Sequence, residues 1–321
     1  MDIEAKHHSI KLAVPFSISR GTRTHVDVVH VSVSHQGHIG KGECTPYPRY
    51  GESVDSVLSQ IETFRHLIYG STESSRLRLL DQMPAGAARN ALDCALWQLE
   101  AIQNNSDFPS PQFTVAPSIE TAMTVSIASP NQMAAQAKGY IDNGATLLKI
   151  KLDDQLIVER IRSIRAVAPE AKLILDANEA WSQLNLEALF ARLLPFNIAM
   201  IEQPLPKGQD QVLKDVSRPI PVCADESCHT TQDLEKLLGY YDMVNIKLDK
   251  SGGLTEALRL EQEARSHGLK IMVGCMLGTS LAMKAALPIA NQAEIVDLDG
   301  PVLLGIEEID GISYANGRMT L

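Results

Sequence analysis

The chain has 321 residues, 45% hydrophobic and 21% charged, enough to bury a large core and to exceed one compact unit. Its formal net charge of -10, a sequence pI near 5.4 and the lack of a Lys/Arg cluster interleaved with aromatics make nucleic acid and anionic membrane poor partners. Met1-Asp2-Ile3-Glu4 is acidic where a secretory signal is basic, no long apolar segment follows, and Cys44, Cys94, Cys223, Cys228 and Cys275 have neither zinc nor disulfide spacing, so a cytoplasmic protein with reduced thiols is expected.

In chain order, residues 26–33 alternate toward Val28, Val29, Val31 and Val33, turn at Gln36-Gly37-His38 and return over 39–44, which predicts an antiparallel hairpin. Helical spacing follows over 53–69 and 87–102, the latter with Ala88, Ala91, Leu92, Ala95, Leu96 and Leu99 on one stripe. Residues 1–115 therefore read as a small α+β domain. Two polar stretches, Ser19-Arg20-Gly21-Thr22-Arg23 and the Thr45–Gly51 loop with Tyr47, have no evident core role and are either solvated loops or parts of a site. The Pro- and Asn-rich residues 104–118 read as the link to a second domain.

From Thr121 onward strand and helix patterns alternate. Eight short apolar runs end near Thr124, Lys149, Asp176, Glu202, Asp225, Lys247, Cys275 and Asp297, spaced by 22–28 residues. That is the length of one strand, loop and helix, which predicts an α/β fold of the (β/α)8 type over about 116–301. An open doubly wound sheet is the alternative, but no Gly-x-Gly-x-x-Gly follows any strand.

In such a barrel the carboxyl ends of the strands converge on one cavity. Asp176, Glu202 and Asp225 from three successive strands would repel unless a cation neutralised them, and an all-oxygen set suits Mg²⁺ better than zinc. Lys149 and Lys151, two apart, share a strand face, while Lys247 falls across the barrel. Repulsion between neighbouring ammonium groups is expected to lower their pKa toward a useful base. Bases on opposite sides of one carbon give the geometry of a racemase or epimerase. Asp297 and Asp299 share a side and form an acceptor for a substrate ammonium, or simply a strand-ending turn.

Lys149-Ile150-Lys151, Asp176-Ala177-Asn178-Glu179, Glu202-Gln203-Pro204, Ala224-Asp225-Glu226-Ser227, Asn245-Ile246-Lys247 with Gly252-Gly253, Asp297-Leu298-Asp299 and the segment Gly42–Tyr50 together resemble the enolase superfamily, muconate-lactonising subgroup, in its dipeptide epimerases. The resemblance spans nearly the whole chain. It implies a barrel modified to (β/α)7β, an N-terminal α+β capping domain of residues 1–115 completed by the tail from about 302 to 321, and one Mg²⁺ per subunit on Asp176, Glu202 and Asp225. It further implies Lys151 and Lys247 as the two acid/base catalysts, Asp297 and Asp299 as a clamp for the α-ammonium, and Thr124 and Lys149 as substrate-binding residues. Arg20, Arg23 or Tyr47 would read the substrate side chain, and Cys275 would lie near the pocket. The implied reaction inverts the α-carbon of the C-terminal residue of L-Ala-D/L-Glu through an enolate, in murein-peptide recycling, with a small dipeptide as substrate and a homo-oligomer left open.

Other readings remain at this point. A cycloisomerase or an o-succinylbenzoate synthase enolises a carboxylate too, but its substrate carries no ammonium for the two aspartates. A Schiff-base aldolase would use Lys151 or Lys247 as nucleophile and need no metal. A non-catalytic barrel would bind dipeptide and exchange no α-proton.

Overall fold

The computed structural model describes residues 1–305 and 312–321, together with the backbone of the two-residue strand Glu308–Ile309. Residues 306, 307, 310 and 311 of the tail assigned above to the capping domain lie outside the described residues.

Three long antiparallel strands, β1 (Asp2–Ile18), β2 (Gly21–His35) and β3 (His38–Cys44), form the first sheet in that order. Val26, Val28, Val29, Val31 and Val33 are buried as the alternation predicts. Helices α1 (Val54–Phe64), α2 (Thr72–Gln82) and α3 (Ala87–Gln103) follow. The helix predicted over 53–69 stops at Phe64 and tightens into a 3₁₀ turn, Arg65–Leu67. Its start is set by Ser53, whose hydroxyl accepts from the Ser56 amide while the Ser56 hydroxyl accepts from the Ser53 amide.

Helix α3 lies directly on β3. A Cβ added to Gly42 would stand 2.1 Å from the Ala91 carbonyl oxygen, and one added to Gly40 2.2 Å from that of Ala95. Both glycines therefore exist to admit the helix backbone. Ala88, Ala91, Leu92, Ala95, Leu96 and Leu99 fill the space between helix and sheet, the stripe expected from the sequence.

After β4 (Ser118–Glu120), eight parallel strands run in unbroken sheet order: β5 (Met123–Val125), β6 (Leu147–Lys151), β7 (Lys172–Asp176), β8 (Ile198–Glu202), β9 (Val222–Ala224), β10 (Met243–Ile246), β11 (Lys270–Gly274) and β12 (Ile295–Asp297). The first and last approach through the Ala122 amide on the Val296 carbonyl, 2.8 Å, and the Leu298 amide on the Thr121 hydroxyl, 2.8 Å, so the sheet nearly closes. The links carry α4 (Pro130–Asp142), α5 (Ile157–Val167), α6 (Leu186–Leu193), α7 (Leu248–Ser251) with α8 (Leu254–Ser266), and α9 (Ser280–Ala290). The β9–β10 link holds a 3₁₀ segment, Thr231–Lys236, where the alternation of strand and helix patterns calls for a helix, as does the β8–β9 link at Asp210–Asp215.

One apolar side chain from each strand or its edge closes the barrel interior: Ala122, Leu147, Ile174, Met200, Cys223, Met243, Met272 and Ile295. This plug is the floor on which the charged strand ends stand. Beyond β12, α10 (Gly300–Leu303) leads to the tail, where β13 (Glu308–Ile309) is followed by β14 (Ile312–Ala315), which pairs with β15 (Arg318–Thr320), and β15 pairs with β4. Leu304 packs against Leu12, Val26 and Val28 of the first sheet, while Met319 joins the core around the barrel.

Candidate active site

A pocket opens between the strand carboxyl ends and the N-terminal sheet. Its walls include Arg20, Arg23, Tyr47 and Tyr50 from above and Thr124, Lys149, Lys151, Asp225, Lys247, Cys275, Asp297 and Asp299 from the barrel. About 70 Å³ of it is open to the centres of water-sized molecules, room for several waters.

The strand ends interlock through charge. Lys151 Nζ sits 2.5 Å from Asp176 Oδ2 and Lys247 Nζ 2.7 Å from Asp225 Oδ2. Lys149 Nζ lies 2.7 Å from Asp297 Oδ2, 2.7 Å from Glu202 Oε2 and 3.2 Å from Asp176 Oδ2. All of these side chains are nearly or fully buried. Strands β6 and β10 are four apart in an eight-stranded ring, so Lys151 and Lys247 face the pocket from opposite sides.

The electrostatics differ from the sequence expectation for the lysines. Burial alone would lower Lys149 and Lys247, but the carboxylates against them outweigh it and hold both above the ordinary lysine value. Mutual repulsion is therefore not the governing interaction here. Burial would likewise raise Asp225, yet Lys247, Lys250 and Lys149 hold it well below the usual range, and Asp176 is lowered in the same way by Lys151 and Lys149. Glu202 goes the other way despite its contact with Lys149: burial, then Asp176, push it up to about 7. Burial and the neighbouring Asp297 raise Asp299 to about 7, with the Thr124 amide donating to its Oδ2 at 2.7 Å.

Among the described residues, no three His, Cys, Asp or Glu side chains are arranged to hold a metal ion as they stand. Ammonium nitrogens are bound to the carboxylate oxygens instead, the positive charge a cation would supply. Glu202 Oε2 makes no hydrogen bond among the described residues, although Lys149 Nζ lies 2.7 Å away. Asp176, Glu202 and Asp225, on adjacent strands with oxygen donors only, thus fit a hard divalent ion once the ammonium groups withdraw.

The two arginines part company. Arg20 Nη1 donates to the Asn178 carbonyl at 3.1 Å and pairs with Glu179 at 3.2 Å and Glu226 at 2.9 Å, while Nη2 reaches the Tyr47 hydroxyl at 3.1 Å. Arg23 stands 5.0 Å over the Tyr47 ring and pairs with no carboxylate among the described residues. Cys275 lines the pocket, its thiol pushed up by burial.

The sequence motifs include Asn245 and Gln203, but no role beneath the site is assigned from them or to Lys250. Asn245 Nδ2 donates to Glu202 Oε1 at 2.7 Å, and Lys250 Nζ donates to Asp225 Oδ1 at 2.6 Å, to its carbonyl at 2.5 Å and to the Asn245 carbonyl at 2.8 Å. Asn245 could have been found, because it lies two residues before Lys247 and so shares its strand face. Gln203, held at φ 35°, accepts from the Asp225 and Ser227 amides at 2.8 and 3.1 Å, which sets the backbone carrying Asp225.

Residues 1–108 match the mandelate racemase / muconate lactonizing enzyme N-terminal domain, and residues 132–320 the enolase C-terminal domain-like family. The chain is 48% identical to an L-Ala-D/L-Glu epimerase of Escherichia coli (strain K12), over 97% of this chain and 96% of that one. It is 42% identical to an N-acetyl-D-glutamate racemase of Pseudoalteromonas sp., over 91% and 92%. A crystal structure of an enolase family member from Agrobacterium tumefaciens with homology to dipeptide epimerases, bound to sodium and L-Ala-L-Glu, superposes with a TM-score of 0.92 at 44% identity, covering 99% and 97%. The dipeptide epimerase of Enterococcus faecalis, complexed with Mg and L-Leu-L-Tyr, gives 0.89 at 29%, covering 99% and 96%.

Proposed function

The chain belongs to the mandelate racemase / muconate lactonizing enzyme family of the enolase superfamily, and on that premise we propose that it is a Mg²⁺-dependent dipeptide epimerase acting on L-Ala-D/L-Glu. The observation that carries this reading is the placement of Lys151 and Lys247 on strands four apart, with the carboxylates of Asp297 and Asp299 beside them in one pocket.

Asp297, with an Oδ1 that has no hydrogen-bond partner among the described residues, and Asp299 hold the substrate's α-ammonium at one end. Arg23, which pairs with no carboxylate among the described residues, takes the glutamate side-chain carboxylate at the other. Between them the α-carbon lies in line with the two lysine nitrogens. One lysine removes the proton from its face and the other returns a proton to the opposite face, which inverts the centre. Asp176, Glu202 and Asp225 would hold Mg²⁺, which when bound supplies positive charge for the substrate carboxylate as the α-proton leaves. Before the metal binds, each lysine stands against one of these carboxylates, Asp176 for Lys151 and Asp225 for Lys247, and leaves it when the carboxylates turn to the ion.

The division into a capping domain of residues 1–115 with the tail and a barrel of residues 116–301 belongs to the same proposal, supported by Leu304 against the first sheet. So does a cytoplasmic role in murein-peptide recycling, supported by the cysteines, all free. No helix among the described residues is long and apolar enough to cross a membrane.

N-acetylglutamate racemisation is the second reading, favoured by the 42% identical relative. An acylated nitrogen offers no charge to Asp297 and Asp299. The test is α-deuteration in D₂O of L-Ala-L-Glu, L-Ala-D-Glu and both N-acetylglutamates by the Mg²⁺-loaded enzyme. Both dipeptides should exchange and invert, with the N-acetyl compounds far slower. Lys151→Ala and Lys247→Ala should each abolish inversion while leaving exchange of opposite epimers, and full epimerisation by either variant overturns the assignment.

A further inference from the structure

Helix α3 is apolar on the side that meets β3, yet its other side carries a buried polar stripe, Arg89, Asn90 and Asp93, that packing of the first domain does not require. The stripe grips the segment that follows Lys247. Asn90 Nδ2 donates to Asp249 Oδ1 at 2.9 Å, Arg89 donates to the Ser251 and Gly252 carbonyls at 2.6 and 3.0 Å, and Asp93 accepts from the Thr255 amide at 2.9 Å. Gly252 and Gly253 let the helix come this close: a Cβ on either would stand 2.5 Å from Arg89 Nε or Asp93 Cβ.

The same helix holds the pocket's upper wall. Asp249 Oδ1 also accepts the Thr45 amide at 3.1 Å, and Glu52 joins the Ala87 amide at the start of α3, 2.8 Å, to the Tyr47 amide, 3.0 Å. Lys247 is two residues from Asp249, and its carbonyl accepts from the amides of Lys250 and Ser251 in the turn that Asp249 anchors. Lys151, at the end of β6 with Asp176 as its partner, meets the N-terminal domain through the Phe16 ring, 5.9 Å from its Nζ, and among the described residues no hydrogen bond from that domain holds the residues that directly follow it.

We propose that Asn90 and Asp249 are positioning residues through which the N-terminal domain sets Lys247, rather than Lys151, in register with the wall carrying Thr45 and Tyr47. This rests on the two-base reading above. A misplacement of about 1 Å costs a proton transfer up to about 100-fold, so the effect is one-sided in stereochemistry.

The experiment measures α-deuteration of each dipeptide epimer separately, with Lys247→Ala marking the epimer that depends on Lys247. Asn90→Ala and Asp249→Ala should slow that epimer by about 10- to 100-fold and leave the other within about threefold. Asp249→Asn, which keeps an acceptor oxygen for Thr45 and Asn90, should restore most of the rate and keeps the test decisive if the alanine variant does not fold. Asp93→Ala, which loosens the same interface farther from Lys247, should lower stability and affect both epimers equally. Equal slowing of both epimers by Asn90→Ala, or no slowing, overturns the positioning role while the two-base reading stands. If Lys247→Ala silences neither epimer, the two-base reading falls and the positioning role with it.

Discussion

Lys149 Nζ lies 2.7 Å from Asp297 Oδ2 inside the barrel, and because the same nitrogen is 2.7 Å from Glu202 Oε2, one buried ammonium joins the proposed ammonium clamp to the proposed metal ligands. Burial disfavours all three charges, and they are tolerated only together. Lys149→Met should therefore destabilise the metal-free protein by about 3–5 kcal/mol, whereas Lys138→Met, which breaks an exposed pair with Asp142, should cost about 0–1 kcal/mol. Urea unfolding in EDTA measures both. Added Mg²⁺ should narrow the Lys149→Met deficit by binding the native state. Equal costs for the two variants would remove the bridging role.

Arg20 and Arg23 are three residues apart at one hairpin tip and do different work. Arg20 is spent on Glu226, Glu179 and the Asn178 carbonyl, so Arg20→Ala should chiefly lower stability. Arg23 lines the pocket with no ion pair among the described residues. Its loss should cost kcat/KM for L-Ala-L-Glu about 10- to 100-fold, the worth of a charge-assisted hydrogen bond of about 1.5–3 kcal/mol, and little for a dipeptide ending in an uncharged residue. Steady-state kinetics on the two substrates decide it; parallel losses would assign Arg23 a structural role.

The barrel was legible because each strand runs apolar and stops at a polar or ionisable residue, and the structure brings Lys149, Lys151, Asp176, Glu202, Asp225, Lys247, Asp297 and Asp299 to one end of it. Strand β1 was not legible. It is an edge strand held by its backbone ladder to β2 with one wet face, so no apolar alternation marks it. Helix α2 was hidden for the converse reason: it buries Thr72, Ser75 and Arg76 alongside Leu79, and Arg76 pairs with Glu100 at 2.6 Å. That Arg20 rather than Arg23 is paired depends on Glu226 and Glu179, contacts more than 150 residues away in the chain that spacing does not reveal.

Gly42 offers a test of how closely the two layers of the N-terminal domain must approach. Its φ is unexceptional, so an alanine is conformationally allowed, but the new Cβ would meet the Ala91 oxygen at 2.1 Å and the Ala95 nitrogen at 2.9 Å, both backbone atoms that cannot rotate away. Strand β3 would have to lift off α3. Gly42→Ala should cost about 1–3 kcal/mol in urea unfolding, the usual cost of overpacking. Activity should fall further than stability alone explains, because Glu43 and Thr45, which hold Thr279 and the Leu277 carbonyl beside the pocket, follow at once. An unchanged unfolding midpoint would show that the layers can separate freely.

Asp93 links α3 to the start of α8, accepting from the Thr255 amide at 2.9 Å and its hydroxyl at 2.6 Å, and it is almost completely buried. Burial outweighs those hydrogen bonds and raises the carboxyl from 3.8 to about 6. Below 3.8 the group is protonated in both folded and unfolded chains, and its contribution is fully present. Between 3.8 and about 6 the unfolded chain gives up the proton while the folded protein keeps it, so stability declines; above that it stays lower by roughly 3 kcal/mol. Asp93→Asn has no such proton to lose. Unfolding free energies of the two proteins, followed from about pH 4 to about pH 7, should thus diverge, with the wild type losing ground to the variant up to about pH 6 and none beyond. Curves that run parallel throughout would mean that Asp93 is already ionised in the folded interface, with Arg76 and Arg89 supplying the charge that keeps it so.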